Sequence, residues 1–258
     1  MSHADEIAHD DIARAAALLR EARYAVALTG AGHSTPSGIP DFRSPGTGLW
    51  ERANPMEVAT IYAFRRHPEA FYNWVRPLVT ALLEAEPNPG HLALAKLEQG
   101  GWLKAVITQN IDGLHQRAGS REVLELHGHL REATCISCYR VLSIEPLLGD
   151  FLASGEVPRC PVCGGVMKPN IILYGEQLPA EVVSGAMEHI RQADLMLVVG
   201  ASLETMPASQ LPFLVREHAG RLIMVNLMPT YIDEAAEVVI HADVAEVLPH
   251  IARACAEG

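Results

Sequence analysis

Leu103-Lys104-Ala105-Val106-Ile107-Thr108-Gln109-Asn110-Ile111-Asp112-Gly113-Leu114-His115 begins apolar and ends in amides, a carboxylate and a histidine. Residues 103–107 read as a buried strand. The polar residues fall just past its carboxyl end, where open α/β sheets form their ligand crevices. A packed core has little use for such a density of Gln, Asn, Asp and His, because buried polar groups are costly unless paired. The stretch therefore predicts a strand with an active site at its end. Leu124-Glu125-Leu126-His127-Gly128 follows, and then Cys135-Ile136-Ser137-Cys138.

Working outward, further apolar strand candidates recur at 24–28, 170–174, 194–199, 221–225 and 237–241. Helical periodicity covers 5–22, where Ile7, Ile12, Ala15, Ala16, Leu18 and Leu19 are apolar, and 67–85, 91–99, 179–192, 207–219 and 243–256. Strands alternating with helices predict an α/β fold with a doubly wound parallel sheet. The interval 129–169 breaks the alternation and holds all four paired cysteines, so it reads as an inserted metal module. After the first strand, a Pro/Gly/Ser-rich stretch runs to Gly48, and loops of that length are functional or disordered.

The chain has 258 residues, enough for one large domain or two smaller ones. Its formal charge of −11 argues against nucleic acid as the main partner and would suit a basic substrate such as a lysine-bearing protein segment. No segment reaches the roughly 18 consecutive apolar residues of a membrane helix. Met1-Ser2-His3-Ala4-Asp5-Glu6 is acidic and lacks the apolar region of a signal peptide, so a cytoplasmic address is expected. In that setting two CxxC pairs and a lone Cys255 read as metal binding rather than a disulfide framework.

Cys135-x2-Cys138 and Cys160-x2-Cys163 are separated by 21 residues, just past the usual zinc-ribbon spacing. Each pair turns two thiolates toward one ion, and four close a tetrahedral zinc site. With no open position, such a zinc is structural rather than catalytic. Gly30-Ala31-Gly32 fits a phosphate cradle, since glycines let the backbone approach a pyrophosphate, but it fits a tight turn equally. The full GxGxxG spacing is absent because Thr35 stands at the third position, and Pro36 and Pro40 preclude an immediate helix. A hydride-transfer dehydrogenase therefore fits poorly. His127 follows apolar residues and precedes a glycine, and its ordinary pKa suits a general base. His115 is its rival, and spacing does not separate them. Pro40-Asp41-Phe42-Arg43, Gly200-Ala201-Ser202 and Val225-Asn226-Leu227 are either turns and loops or contacts to a nucleotide lying across the sheet.

Together these segments resemble the sirtuin family, the NAD-dependent protein-lysine deacylases, in order from about Tyr24 to about Pro249. The specific pieces are Gly30-Ala31-Gly32-His33-Ser34 with Ser37-Gly38-Ile39-Pro40-Asp41-Phe42-Arg43, Thr108 to His115, Leu126-His127-Gly128, the four cysteines, Tyr174-Gly175-Glu176, Gly200-Ala201-Ser202 and Asn226. The resemblance implies a Rossmann-like NAD-binding domain over 1–40, 90–128 and 170–258. It implies a cofactor-binding loop and helical part over 41–89, and a zinc module over 129–169. NAD and an acyl-lysine protein or peptide would enter the cleft from opposite sides. The acyl oxygen would attack C1′ of the nicotinamide ribose, and His127 would act as base on a ribose hydroxyl. The products would be nicotinamide, free lysine and O-acyl-ADP-ribose. Asn110 and Asp112 would hold ribose and carboxamide, Gln109 the ribose hydroxyls, and Phe42 would shield the reactive sugar. Gly30, Ala31 and Arg43 would face the diphosphate, Ser202, Asn226 and Val244 the adenosine half, and Gly32, Asp41 and Gly200 would also contact the cofactor. The acyl-lysine segment would pair as an added strand between Tyr174-Gly175-Glu176 and Glu204-Thr205-Met206-Pro207, with Met206 in contact.

The chain departs from the family pattern in three places. His33 stands where a small or branched apolar residue is usual, either as a passive substitution or as a tuner of pH dependence. Ala201 replaces Thr or Ser, and Glu204-Thr205-Met206-Pro207 is unusually polar. Succinyl-removing sirtuins resemble one another in a Tyr and an Arg three residues apart, but here Tyr72 is followed at that distance by Val75, with Arg76 one further on. One residue turns a helical side chain by about 100°, so acetyl or longer apolar acyl groups are expected over succinyl. Two other readings share the residues: ADP-ribosyl transfer, and a non-catalytic NAD-binding regulator.

Overall fold

In this computed structural model, which describes residues 3–44, 46, 48–51 and 53–258 with side chains from Asp10 onward, α1 (His3–Glu21) leads into β1 (Ala25–Thr29). The Ile7 side chain counted toward the first helix lies outside the described residues. Short 3-10 turns at Ala31–His33, Thr35–Ser37 and Leu49–Glu51 occupy the long loop. They give way to α2 (Pro55–Val58), α3 (Ile61–Arg66), α4 (Pro68–Glu84) and α5 (Pro89–Gln99). Then come β2 (Ala105–Thr108), α6 (Leu114–Arg117), β3 (Val123–Glu125), β4 (Gly128–Cys135), β5 (Val141–Ser143), α7 (Glu145–Ser154) and β6 (Met167–Ile171). The chain closes with α8 (Ala180–Gln192), β7 (Leu195–Val199), α9 (Leu211–Glu217), β8 (Arg221–Val225), β9 (Val238–Ile240) and α10 (Val244–Glu257).

Six strands form one sheet in the order β3-β2-β1-β7-β8-β9, every neighbour parallel. This is the doubly wound order, reversing between β1 and β7. All five residues of β1 and of β7 are buried, which is why these strands read as continuous apolar runs. The two faces still alternate. Ala25, Ala27, Leu195, Leu197 and Val199 pack with Leu19, Leu94, Leu248 and Ile251 from α1, α5 and α10. Val26, Leu28, Met196 and Val198 face α8 and α9, through Ala186, Ile190, Leu211 and Val215.

The second sheet is antiparallel, β5-β4-β6, and carries the cysteines. Here the expectation at 170–174 is corrected. That strand is Met167–Ile171, and it pairs with β4 of the small sheet rather than joining the parallel one. Ile171 and Leu173 pack instead with Phe64, Phe71, Tyr72 and Val75 in a small-domain cluster. Apolar periodicity alone cannot say which sheet a strand joins. Val123–Glu125 supplies the sixth parallel strand, too short to stand out in the sequence. The helix expected over 207–219 is a 3-10 turn, Ala208–Gln210, followed by α9.

The loops after β1 and β7 are pressed together at the reversal point. Gly32 N donates to Gly200 O at 2.8 Å, and Gly30 N to Val199 O at 3.2 Å. Gly200 has φ +56, and a Cβ there would sit 2.2 Å from His33 N. Gly200→Ala is expected to cost about 2–4 kcal/mol, from left-handed strain and overpacking together. Urea unfolding measures this, and a loss below about 0.5 kcal/mol, the range of a bland surface change, would show that the two loops are free to separate.

Candidate active site

The polar stretch after β2 does reach the crevice, and its side chains are tied into one network. Ser34 Oγ donates to Asp112 Oδ2 at 2.7 Å and accepts from Asn110 Nδ2 at 3.0 Å. Asn110 Nδ2 also donates to Gly30 O at 3.0 Å, and Leu114 N donates to Asp112 Oδ1 at 2.9 Å. The network thus ties the loop after β1 to the loop after β2. Burial pushes the Asp112 carboxyl up, against the downward pull of the Leu114 amide and the Ser34 hydroxyl.

The geometry separates the two rival histidines. His115 is 1% exposed, and its Nε2 lies 2.9 Å from Thr29 Oγ1. Burial holds its pKa well below 6.5. His127 is half-buried, and its Nδ1 lies 3.0 Å from Gln109 O. A carbonyl only accepts, so Nδ1 carries the proton and Nε2 is left as the basic nitrogen. Burial lowers the His127 pKa, opposed by the Gln109 carbonyl, so the ring is neutral at pH 7. His33, considered as a pH tuner, is fully buried and held neutral far below 6.5 by desolvation and by His91 and His115. It does not change charge near neutral pH.

The glycines serve a close approach of two loops. A Cβ on Gly30 would lie 2.9 Å from Ala201 Cα, and one on Gly32 would lie 2.9 Å from Gly200 O. Their missing side chains let two loops pack. Asp41 folds its own loop, accepting from Arg43 N at 2.9 Å, from Ser44 N at 2.7 Å and from the Ser44 hydroxyl. Phe42 lies against Trp50 (centroids 5.1 Å), which stacks on Trp74 (5.4 Å) and nears Tyr174 (6.4 Å). This aromatic row joins the loop after β1 to the 174–176 segment. Sequence reasoning missed Trp50 and Trp74. Their signal was two of only three tryptophans in an aromatic-poor chain.

Arg43 spans to the loop after β7, with Nε 2.8 Å from Glu204 Oε2 and Nη2 donating to Thr205 Oγ1 at 3.1 Å. Ser202 is exposed, beside buried Ala201. Asn226 ends β8 and donates from Nδ2 to Met228 O at 2.7 Å. Val244 is not brought to the crevice surface; its side chain is spent in the core with Val247 and Leu248. Tyr174 forms a bridge with Thr60, Gly175 has φ +88, and Glu176 pairs with Lys168 at 3.0 Å. Met206 is exposed on the facing loop.

The four cysteines meet. Cys135 Sγ is 3.5 Å from Cys163 Sγ, Cys138 Sγ is 3.8 Å from Cys160 Sγ, and all four lie within 4.8 Å. An ion about 2.3 Å from each sulfur asks for sulfurs about 3.8 Å apart. A Cβ on Gly165 would come within 2.8 Å of Cys135 Sγ, so the glycine keeps the cradle open. Hydrogen bonds from the backbone of Cys138 and Ser137 pull the Cys135 thiol down to about 6, toward the thiolate that a metal needs.

A cavity of about 540 Å³ opens beside Asp112, walled by Tyr72, Val75, Ile111, Leu130 and Phe151. The Tyr72 hydroxyl donates to Met167 O, and Arg76 to the carbonyls of Leu152 and Ala153. Arg131, also in the wall, is paired with Glu125.

The Sir2 family model matches residues 30–207. An NAD-dependent protein deacetylase of Sulfurisphaera tokodaii is 46% identical over 90% of this chain and 91% of its own. NAD-dependent protein deacylase 2 of Archaeoglobus fulgidus is 45% identical over 94% and 95%. A Sir2 enzyme solved with a deacetylated p53 peptide and 3'-O-acetyl ADP-ribose superposes with a TM-score of 0.88 at 42% identity, covering 92% of this chain and 96% of that one. A Sir2 homologue solved with NAD gives 0.86 at 37% identity, covering 95% and 93%. Sequence and fold thus agree with these relatives along nearly the whole length, and this chain belongs to the Sir2 family, the sirtuins.

Proposed function

We propose that this protein is an NAD-dependent protein-lysine deacylase and that His127 is its general base. The observation that carries this reading is the fixed tautomer of His127: Gln109 O holds Nδ1–H, so Nε2 stands as a neutral base at the crevice. NAD, when bound, would supply an electrophilic ribose carbon and take up the acyl group, and with one water the products would be nicotinamide, free lysine and O-acyl-ADP-ribose. His127 Nε2 takes the proton of a ribose hydroxyl. Asn110 and Asp112, braced by Ser34, orient ribose and carboxamide, and Gln109 meets the ribose hydroxyls. Phe42, backed by Trp50, keeps water from the reacting carbon. Arg43 binds the diphosphate after exchanging Glu204 for it, an anion for an anion, while the amides of Gly30, Ala31 and Gly32 line the same loop. Asp41 acts by shaping that loop. Gly200, Ser202 and Asn226 take the adenosine half, and Val244 supports it only from behind. An extended acyl-lysine segment lies between Tyr174-Gly175-Glu176 and Met206.

The domain division stays 1–40, 90–128 and 170–258 for NAD, 41–89 for the helical part and 129–169 for zinc, with one shift. The zinc-side boundary falls after Leu173, because β6 pairs with β4. Cys135, Cys138, Cys160 and Cys163 hold one structural Zn²⁺. Among the described residues no helix is long and apolar enough to cross a membrane. Five cysteines outside disulfides, four of them ligands to zinc, suit a reducing, cytoplasmic setting. The acyl chain enters the cavity beside Asp112. Its tyrosine hydroxyl and Arg131 are already committed, so it favours acetyl and apolar acyl groups over succinyl.

Mass spectrometry of acetyl-lysine peptide incubated with and without NAD tests the reading. Free lysine peptide and O-acetyl-ADP-ribose are expected only with NAD, and kcat/KM on a succinyl twin is expected to be lower. ADP-ribosylated protein with no O-acetyl-ADP-ribose would favour the transferase reading instead. His127→Ala should lower deacylation at least about 10²-fold, the scale of a general base, while sparing nicotinamide exchange. Equal loss of both would remove His127 from the base step. The wild-type rate should fall only below pH 6.5, as His127 gains its proton. Cys135→Ala should fail to fold stably, because structural zinc binding is folding energy. A stable, zinc-free, active Cys135→Ala protein would overturn the structural role.

A further inference from the structure

His33, His91 and His115 form a second cluster of metal-ligating groups beneath the crevice, separate from the four cysteines. All three rings are fully buried or nearly so. Their centroids are 4.3 Å (His33–His91), 5.0 Å (His33–His115) and 4.8 Å (His91–His115) apart, and one ring nitrogen from each lies within 4.8 Å of the others. They come from three different places: the loop after β1, the first turn of α5, and α6.

The hydrogen bonding of the cluster is incomplete where a ligand would go. His33 Nδ1 and Nε2 and His115 Nδ1 are buried without a partner among the described residues. The His115 tautomer is fixed from outside. Thr29 Oγ1 donates to Thr108 Oγ1 at 2.8 Å, so at His115 it accepts, Nε2 carries the proton, and Nδ1 is a bare lone pair. A second hydrogen bond that fixes the tautomer in this way is the usual support of a metal-bound histidine. His91 Nδ1 accepts from Asn88 N at 3.3 Å in the cap of α5, and its Nε2 lies 3.5 Å from Ser34 Oγ, so binding an ion requires Nδ1 to exchange the long Asn88 contact for the metal. Burial keeps all three imidazoles neutral, which is the ligating form. Gly90 leaves the space, since a Cβ there would stand 3.2 Å from His33 Cε1.

We propose that His33, His91 and His115 bind a second divalent cation of the zinc class, distinct from the cysteine-bound zinc. Three neutral imidazoles suit Zn²⁺, Co²⁺ or Ni²⁺ rather than Mg²⁺ or Ca²⁺. A tetrahedral ion about 2.1 Å from each nitrogen draws them to about 3.4 Å apart, which requires the stacked His33 ring to turn. The ion would tie the loop after β1 to α5 and α6, directly behind Ser34 and Asp112. Its entry is tied to folding, because the rings are sealed from solvent.

The protein is therefore expressed in zinc-supplemented medium, freed of loose metal by gel filtration, and its zinc counted per chain by elemental mass spectrometry. Wild type is expected to hold two zinc ions and His33→Ile one, with the cysteine site still filled. His33→Leu gives the same comparison should the isoleucine variant fold poorly. One zinc in the wild type, or two in both variants, would overturn the proposal. This readout is a metal count, so it stands or falls apart from deacylation.

Discussion

The close approach of the chain ends of β1 and β7 is the constraint on which the site depends. Gly30, Gly32 and Gly200 are small because each faces the other loop at a distance no Cβ could occupy. The Gly32 to Gly200 hydrogen bond locks that contact. It fixes the start of the 30–43 loop, and with it Ser34, which in turn binds Asp112 and Asn110 from the neighbouring strand. A wider crevice would strip buried Ser34 and half-buried Asn110 and Asp112 of their mutual hydrogen bonds, at a cost of about 1–3 kcal/mol for a buried group left unpaired. The sheet reversal thus produces the network, and the network orders the site.

Electrostatics then divides the work among residues of similar type. Two histidines sit on one stretch of chain, yet His115 is sealed behind Thr29 while His127 keeps a basic nitrogen toward the crevice. Four acidic groups lie nearby with four duties. Asp112 belongs to the network, Asp41 shapes its loop, Glu176 neutralises Lys168, and Glu204 occupies Arg43. Under the proposed reading a diphosphate would displace Glu204 from Arg43. Its half-exposed ion pair is weak enough to exchange.

Much of this was legible in the chain itself. The alternation of strand and helix gave the doubly wound sheet because strands buried on both faces read as continuous apolar runs. The CxxC pairs were legible because four thiolates at that spacing have few other uses. The 170–174 segment was misplaced because its apolar residues serve the small-domain core, and periodicity does not record the partner sheet. The loop-packing use of the glycines was not legible, since close approach to another loop and close approach to a phosphate leave the same mark. Trp50 and Trp74 escaped notice because their contact joins residues distant in sequence, and nothing in the sequence shows that the Val244 side chain packs in the core.

Backbone hydrogen exchange with and without saturating NAD tests the account most directly. If the crevice at the β1–β7 reversal is the cofactor site, amides at 30–34, 109–113 and 200–203 should exchange more slowly with NAD present, and those of the zinc module should not change. Unchanged exchange at all three segments, or protection confined to the small domain, would contradict it.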